Sequence, residues 1–270
     1  MDSEIVKIGT CTFQGINKYE KSRRLEFLKE IILQVGDKAD ALILPGGYFR
    51  CNGEDGEKYL QDIVDKIKDY LKSLPLTVCF GFDYDCKENI MKHQLAVAVD
   101  KTDIQGLAKK FYPTPQEDGL ICLSTPDLGI DFNGTSYCRK IKIKNKKTAY
   151  LAICYDVFGI SHKNIQKPSD VDYIFNFIHC FNRRGEPGSS DVYFAKNGLA
   201  GASKAWDVPV FAAAEFVNRD IAENWPTGVK WASGKISTKN WKYEYNDIGQ
   251  FDKQCINYQG TKACVRIFTV

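Results

Sequence analysis

The stretch that most restricts the fold of this chain is an uninterrupted apolar run at residues 150–153, which ends directly in Cys154. Apolar residues followed by the polar pair Tyr155 and Asp156, and then by Gly159, are typical of a strand that is buried on both faces. Open α/β sheets bind their ligands at the carboxyl ends of such strands, so the run predicts a ligand site at the Cys154 thiol. A small buried cysteine that only ends a core strand explains the same residues.

Apolar strands and amphipathic helices alternate through the first half of the sequence. Continuous apolar runs predict buried strands, and apolar residues at helical spacing predict helices. On these grounds we expect strands at residues 6–13, 39–44, 76–82, 94–99 and 107–112, and helices at residues 18–35 and 57–73. This order is characteristic of an α/β fold.

The second half continues the pattern and ends in strands. We expect strands at residues 171–178 and 209–214, a helix at residues 191–206, and further strand-like pieces at residues 229–236, 240–245 and 261–269. No internal repeat, linker or low-complexity segment interrupts the sequence. A single domain over residues 1–270 is therefore expected.

Charge and cysteine usage argue against several classes of function. The net charge is only +3, from 37 basic and 34 acidic residues, so we expect no nucleic-acid partner. No apolar run approaches the ~18 residues of a membrane span, and the N-terminal segment MDSEIVKIG does not resemble a signal peptide. None of the 10 cysteines forms a CxxC pair, so we expect no metal, no cofactor, and reduced thiols in a cytoplasm.

The order of elements and three motifs resemble the nitrilase-like carbon–nitrogen hydrolase superfamily over nearly the whole chain. The nucleophile of that family ends a strand written much like LAICYD, which stands here at residues 151–156. The lysine of the family lies in a motif such as K-x-H-[LI]-x-P, to which KKFYP at residues 109–113 is similar. A second family glutamate follows that lysine at the interval that separates Glu117 from Lys109.

The resemblance implies a four-layer α-β-β-α sandwich and hydrolysis of a small-molecule amide, or another non-peptide C–N bond, through a thioester. It implies that Cys154 is the nucleophile, that Lys109 stabilises the oxyanion, and that Glu117 is a further catalytic group. It also implies a small-molecule substrate, no cofactor, no membrane partner, and a homodimer or larger assembly. Three residues at or beside strand ends are candidates for substrate binding: Tyr155, Glu215 and His179.

The sequence departs from the family at the first catalytic glutamate. The family motif L-P-E reads Leu-Pro-Gly at residues 44–46, so Gly46 stands where the proton-carrying carboxylate is expected. Phe111 also replaces the common histidine of the lysine motif. Proton transfer by a positioned side chain contributes roughly 10²–10⁴-fold to a rate. The expected function is therefore a hydrolase with an atypical or impaired proton relay, or a degenerate relative that binds a small molecule or serves as an assembly module.

Other carboxylates can take over the missing proton transfer. Glu117 is one candidate, and Glu54 or Glu57, just beyond the vacant position, is another. Glu215 follows four apolar residues, and a buried acid requires a partner, for which Lys109 is the natural choice.

Three further arrangements stay open. Neighbouring strand residues face opposite sides, so Lys110 can face the pocket in place of the favoured Lys109. Cys154 can form a dyad with His179, although a locally hydrogen-bonded histidine also fits the sequence. The LPGG run at residues 44–47 resembles a strand end of class I glutamine amidotransferase-like domains, whose glycine-flanked cysteine elbow is missing around Cys154.

Overall fold

The structure is a computed structural model in which a mixed sheet is covered by helices. It describes residues 5–14, 20–53, 55–87, 90–117, 119–126, 130–132, 134–186, 189–222, 225–236, 243–248 and 251–270. Strands of the first half of the chain are β1 (Lys7–Gln14), β2 (Ala41–Ile43), β3 (Phe49–Arg50), β4 (Thr77–Lys87), β5 (Ile90–Val99) and β6 (Ile104–Lys109). The helices of this half are α1 (Lys21–Val35) and α2 (Gly56–Leu71).

The second half adds the strands that carry the cysteine and its neighbours. A hairpin comes first, formed by β7 (Ile130–Phe132) and β8 (Thr135–Tyr137). The next strands are β9 (Lys140–Lys142), β10 (Thr148–Ile153), β11 (Tyr173–Phe181) and β12 (Val210–Phe216). The helices are α3 (Asp156–His162), α4 (Asp191–Tyr193) and α5 (Ala200–Trp206), the last two joined by a π-helical turn at Phe194–Leu199. The final strands are β13 (Gly228–Ile236), β14 (Tyr243–Asp247), β15 (Phe251–Tyr258) and β16 (Thr261–Thr269).

Six adjacent strands in the centre of the sheet run parallel and set the position of the candidate site. Among the described residues the large sheet has the central order β6-β5-β4-β2-β1-β12-β11-β10-β9. Within it β4, β2, β1, β12, β11 and β10 are parallel to their neighbours in that series. Their carboxyl ends therefore lie on one side of the sheet, where α/β proteins bind ligands.

Three layers of buried apolar side chains separate the helices and sheets of the four-layer sandwich. The apolar stripe of α2 recurs every three or four residues and packs, together with α1, on the outer face of β1, β2 and β4. Helices α3 and α5 cover the outer face of β10–β12 in the same way. The alternate residues of both strand groups meet in a middle layer, where for example Ala98 and Ile8 join Leu151 and Phe177. This α-β-β-α order confirms the predicted fold class.

Some predicted elements have different bounds in the structure. The helix predicted at residues 18–35 begins at Lys21, and residues 18 and 19 lie outside the described part of the chain. The strand predicted at 107–112 ends at Lys109, so Lys110 follows it. The sequence pattern missed β15, which pairs antiparallel with β16. None of the helices in the described ranges is long and apolar enough to cross a membrane.

Candidate active site

Cys154 sits at a sharp turn between a strand and a helix. It follows β10 directly, α3 begins two residues later, and its φ is 48°, in the left-handed region that non-glycine residues rarely adopt. Its N–H donates to the carbonyl of Phe177 at 2.9 Å, and its own carbonyl accepts from Asn176 Nδ2 at 3.1 Å. Strain of this kind, fixed by its surroundings, is common at functional sites and resembles the elbow that presents a nucleophile.

Lys110 lies buried next to this turn in an ion pair with Glu117. The Lys110 ammonium donates to the two Glu117 carboxylate oxygens at 2.5 and 2.7 Å, and to Gln94 Oε1 at 3.0 Å. The Glu117 carboxylate also accepts from Gln94 Nε2 and from the N–H of Thr114. Burial lowers the pKa of Lys110, but the charges of Cys154 and Glu117 outweigh it and leave that pKa raised. Lys110 therefore stays a cation beside the thiol.

Lys109 does not take the place expected of it. It pairs with Leu95 at the end of β6, and its side chain is near His93 and Cys122 rather than in the ion pair with Glu117. Burial lowers the pKa of Lys109, with no carboxylate among the groups that act on it. The correction follows from alternation, since consecutive residues of an extended chain face opposite sides and Lys110 is the one that faces inward.

Asp156 ties the lysine segment to the cysteine turn. Its fully buried carboxylate accepts from the N–H groups of Phe111 at 3.0 Å, Tyr112 at 2.9 Å and Ile153 at 3.0 Å. Arg139, also buried, donates to Asp156 at 3.3 Å and balances its charge. Because Phe111 and Ile153 neighbour Lys110 and Cys154, this one carboxylate holds the backbone at Lys110 close to the backbone at Cys154.

His179 stands against the position that Gly46 leaves open. A Cβ on Gly46 would lie 2.8 Å from Nδ1 of His179 and 2.7 Å from the carbonyl of Phe177. The register of β11 against β12 shifts between Phe177 and Cys180, so His179 lies in a β-bulge. Bulges next to active sites re-aim side chains.

The His179 ring lies between a buried carboxylate and the cysteine turn. Its Nε2 lies 3.1 Å from Oδ1 of Asp83, and the ring is close enough to Cys154 for a thiolate there to raise the pKa of His179. Asp83 is fully buried, and its Oδ2 lies 3.4 Å from Nε of Arg50. Burial lowers the pKa of His179, but the nearby Asp83 and Cys154 raise it overall to about 9. At neutral pH the ring is therefore protonated.

Glu215 is buried, but its partner is not Lys109. Oε2 of Glu215 lies 3.6 Å from Nη2 of Arg24, and each side chain is 2% exposed. Burial raises the pKa of Glu215 and outweighs the lowering effect of Arg24 and Arg50. The expected partnership with Lys109 is wrong because α1 places Arg24 over the end of β12.

The remaining candidate site residues differ in how far their side chains are exposed. The Tyr155 ring stacks on Phe158 at 4.7 Å between centroids and meets Phe194 edge-on at 5.8 Å, so it lines the thiol turn with an aromatic surface. Glu57 is exposed in the first turn of α2, and Glu54 lies outside the described residues.

Sequence reasoning missed Asp83, which lies one residue beyond the predicted strand at 76–82. An ionisable side chain directly after an apolar strand is the signal that singled out Cys154, and it would also have found Asp83. In the described parts of the chain, no group of three or more His, Cys, Asp and Glu side chains could hold a metal ion.

Comparison with solved structures shows which fold this is. An amidase from Nesterenkonia sp. AN1 in complex with acrylamide is similar with a TM-score of 0.59 and 8% identity, over 100% of this chain and 92% of that chain. Another structure of a Nesterenkonia AN1 amidase, from the nitrilase superfamily, is similar with a TM-score of 0.57 and 8% identity. The match covers 78% of this chain and 77% of that chain. A glutamine-dependent NAD(+) synthetase from Cytophaga hutchinsonii is similar with a TM-score of 0.57 and 11% identity, over 98% of this chain and 43% of that chain. No family model and no curated protein matches the sequence.

Proposed function

We propose that this chain, which has the nitrilase-like fold of carbon–nitrogen hydrolases, hydrolyses a small-molecule amide or another non-peptide C–N bond through a thioester on Cys154. The observation that carries the proposal is the buried Lys110–Glu117 ion pair beside the strained Cys154 turn. Surface ion pairs are common, but a fully buried ammonium close to a half-buried thiol supplies what acyl transfer requires.

The steps follow from the chemistry of these groups. The Cys154 thiolate attacks the carbonyl carbon, and a C–S bond forms as the carbonyl oxygen becomes an oxyanion. The Lys110 ammonium and the N–H of Tyr155, directly after the nucleophile, stabilise that charge. The oxyanion collapses, the C–N bond breaks, and the leaving amine takes one proton from an acidic group of the site, which the attacking water replaces in the next step. Water then attacks the thioester, which releases the acid and restores the thiolate.

Glu117 acts in this scheme as a positioning residue. It bonds Lys110 through both carboxylate oxygens and accepts from Gln94 and Thr114 as well. Burial raises its pKa, but Lys110 and the Thr114 N–H outweigh burial and hold the pKa below its usual range. A carboxylate that stays ionised and fully engaged orients the ammonium and is poorly suited to carry a proton.

The proposal extends to the substrate and the setting. The proposed substrate is a small amide, or another small compound with a nitrogen leaving group, and Tyr155 offers an aromatic surface to its apolar part. The cysteines with described side chains are free thiols, in keeping with a cytoplasmic location. The resemblance to the family implies a homodimer or larger assembly, and we include that assembly in the proposal.

The test is turnover of a panel of aliphatic primary amides, followed by ammonia release and by intact mass after acid quenching. We expect an acyl adduct on Cys154 and loss of both signals in Cys154→Ala. Cys138→Ala, which removes an exposed thiol instead, serves as the matched control and should behave as wild type. Ammonia release that persists in Cys154→Ala refutes the thioester route.

A second outcome would favour the other candidate function. Amides that bind to the protein and shift its melting temperature, with neither an adduct nor ammonia, would indicate a degenerate relative that binds a small molecule. The observation that favours this alternative is Gly46, which removes the carboxylate expected at the end of β2.

A further inference from the structure

The space beside Gly46 is filled by the ring of His179. A Cβ at Gly46 would meet Nδ1 of His179 at 2.8 Å and Cε1 at 3.0 Å, and the carbonyl of Phe177 at 2.7 Å. A side chain at position 46 and the observed His179 rotamer therefore exclude each other. The glycine that removes the expected carboxylate is also what makes room for an imidazole.

The bulge in β11 places this imidazole beside the cysteine turn. Phe177 pairs with Ala213 and Cys180 pairs with Glu215, so two residues of β11 stand opposite one of β12. A regular strand would direct His179 by simple alternation, whereas the extra residue re-aims it. Nε2 faces Asp83, whereas Nδ1 lies against Gly46 together with the Phe177 carbonyl that accepts from the N–H of Cys154, so Nδ1 is the nitrogen left to face the cysteine.

Asp83 fixes the ring in this direction. It is fully buried on β4, its Oδ1 accepts from Nε2 of His179 at 3.1 Å, and Arg50 on β3 faces its other oxygen at 3.4 Å. A carboxylate at one imidazole nitrogen sets the tautomer and stabilises the imidazolium, which leaves the other nitrogen to exchange a proton with the nucleophile.

Other charged groups also face the ring from the elements around it. Glu215 on β12 and Glu117 on the loop after β6 are both close enough for His179 to lower their pKa values. Arg24, on α1, balances Glu215. The net effect on His179 is a pKa raised to about 9, with burial opposed chiefly by Asp83 and Cys154.

We infer that His179 is the proton carrier of this site, taking the place of the absent carboxylate, and that Asp83 is its positioning residue. In the resting site Nδ1 of His179 holds the proton that Sγ of Cys154 has given up, so a thiolate lies beside an imidazolium. When the C–N bond breaks, Nδ1 returns that proton to the leaving amine, and His179 then takes one from the water that attacks the thioester. The second half of the inference rests on the proposed hydrolase function, whereas the thiol–imidazole pair does not.

The first experiment measures the pair without any substrate. The rate of Cys154 alkylation by iodoacetamide is followed against pH in wild type, His179→Gln, Asp83→Asn and the exposed control His162→Gln. A thiol of ordinary pKa, about 8.5, is about 1% ionised near pH 6.5, so we expect His179→Gln to lose up to about 100-fold of the rate there. Asp83→Asn should lose less, and His162→Gln should match wild type.

A measurement on wild type keeps the test valid if His179→Gln fails to fold. The ultraviolet absorbance of the thiolate, taken before and after alkylation, should persist well below the ordinary pKa of a thiol. Absorbance that appears only near that ordinary pKa overturns the inference, and so does an unchanged alkylation profile in a folded His179→Gln.

Turnover separates this inference from the proposed function. We expect kcat/KM of His179→Gln to fall by roughly 10²–10⁴-fold, and to fall most at the pH where wild type is fastest. Turnover that survives in His179→Gln refutes the proton carrier and leaves the hydrolase in place. A shifted alkylation profile without turnover in any variant supports the pair and refutes the hydrolase.

Discussion

Replacing Gly46 by alanine tests whether the glycine is required by its neighbours. The added methyl would lie 2.7 Å from the carbonyl of Phe177 and 2.8 Å from Nδ1 of His179, both below the 3.0 Å that real Cβ contacts keep. The Phe177 carbonyl is backbone, and it accepts the N–H of Cys154 at 2.9 Å, so it cannot give way without moving the thiol turn. Overpacking of this kind costs about 1–3 kcal/mol.

The expected result is a loss of both stability and thiol reactivity. Chemical denaturation should show a free energy of unfolding lower by about 1–3 kcal/mol, and iodoacetamide labelling of Cys154 should slow because the His179 ring is pushed aside. Gly46→Glu restores the residue of the family motif. It should lower stability and Cys154 labelling further, because its longer side chain enters the space of the same ring.

A matched control is Gly201→Ala in α5. Its Cβ would meet Ser161 Oγ at 3.3 Å and nothing closer, and alanine favours a helix over glycine. We expect its stability to stay within about 1 kcal/mol of wild type. A Gly46→Ala protein as stable and as reactive as wild type, or a Gly46→Glu protein with faster turnover, would refute this account of the site.

Three further expectations concern the charged groups. Lys110→Met should lower kcat/KM by about 10²–10³-fold, as loss of one oxyanion donor does, whereas Lys109→Met should change it only a few-fold. Glu215→Gln should lower the free energy of unfolding in denaturant by about 3–5 kcal/mol, because it removes one charge of a buried ion pair. Folding raises the pKa of His179 from 6.5 to about 9, so the stability this adds is full below pH 6.5 and lost as pH rises through 9. Thermal unfolding should therefore show a larger fall over that window in wild type than in His179→Gln.

The fold could be predicted because hydrophobic patterns carry it. The helix expected at residues 57–73 is Gly56–Leu71, and its apolar positions are the buried ones. The strand expected at 171–178 is Tyr173–Phe181, fully buried through Ile178. Segment 191–206 is helical throughout, and only its central π-helical turn at Phe194–Leu199 has no signature in the apolar spacing.

The site could be predicted only in part, because its contacts are set by register. The strand end located Cys154, but alternation alone cannot say which of Lys109 and Lys110 faces inward. Which of the two lysines faces inward is decided by the pairing of Lys109 with Leu95, and no local sequence pattern contains that pairing. The bulge that aims His179 is likewise a property of two strands together.

Partners of buried charges are equally invisible in the sequence. Burial of Glu215 was expected from the four apolar residues before it, and the need for a cation followed from electrostatics. The cation itself, Arg24, lies in a helix near the other end of the chain and is the sole described basic side chain in salt-bridge distance of that carboxylate.

The pairing of Asp83 with His179 bears on when the thiol becomes reactive. The two residues are 96 positions apart in sequence, and the Phe111–Asp156 contact that places the lysine spans another 45. Contacts of such separation form late, because the chain must first give up the freedom of the long loops between them. On the inference that His179 activates Cys154, a chain cut before β11 should therefore carry only an ordinary thiol at that position. The labelling rate of Cys154 during refolding should then report when these long-range contacts form.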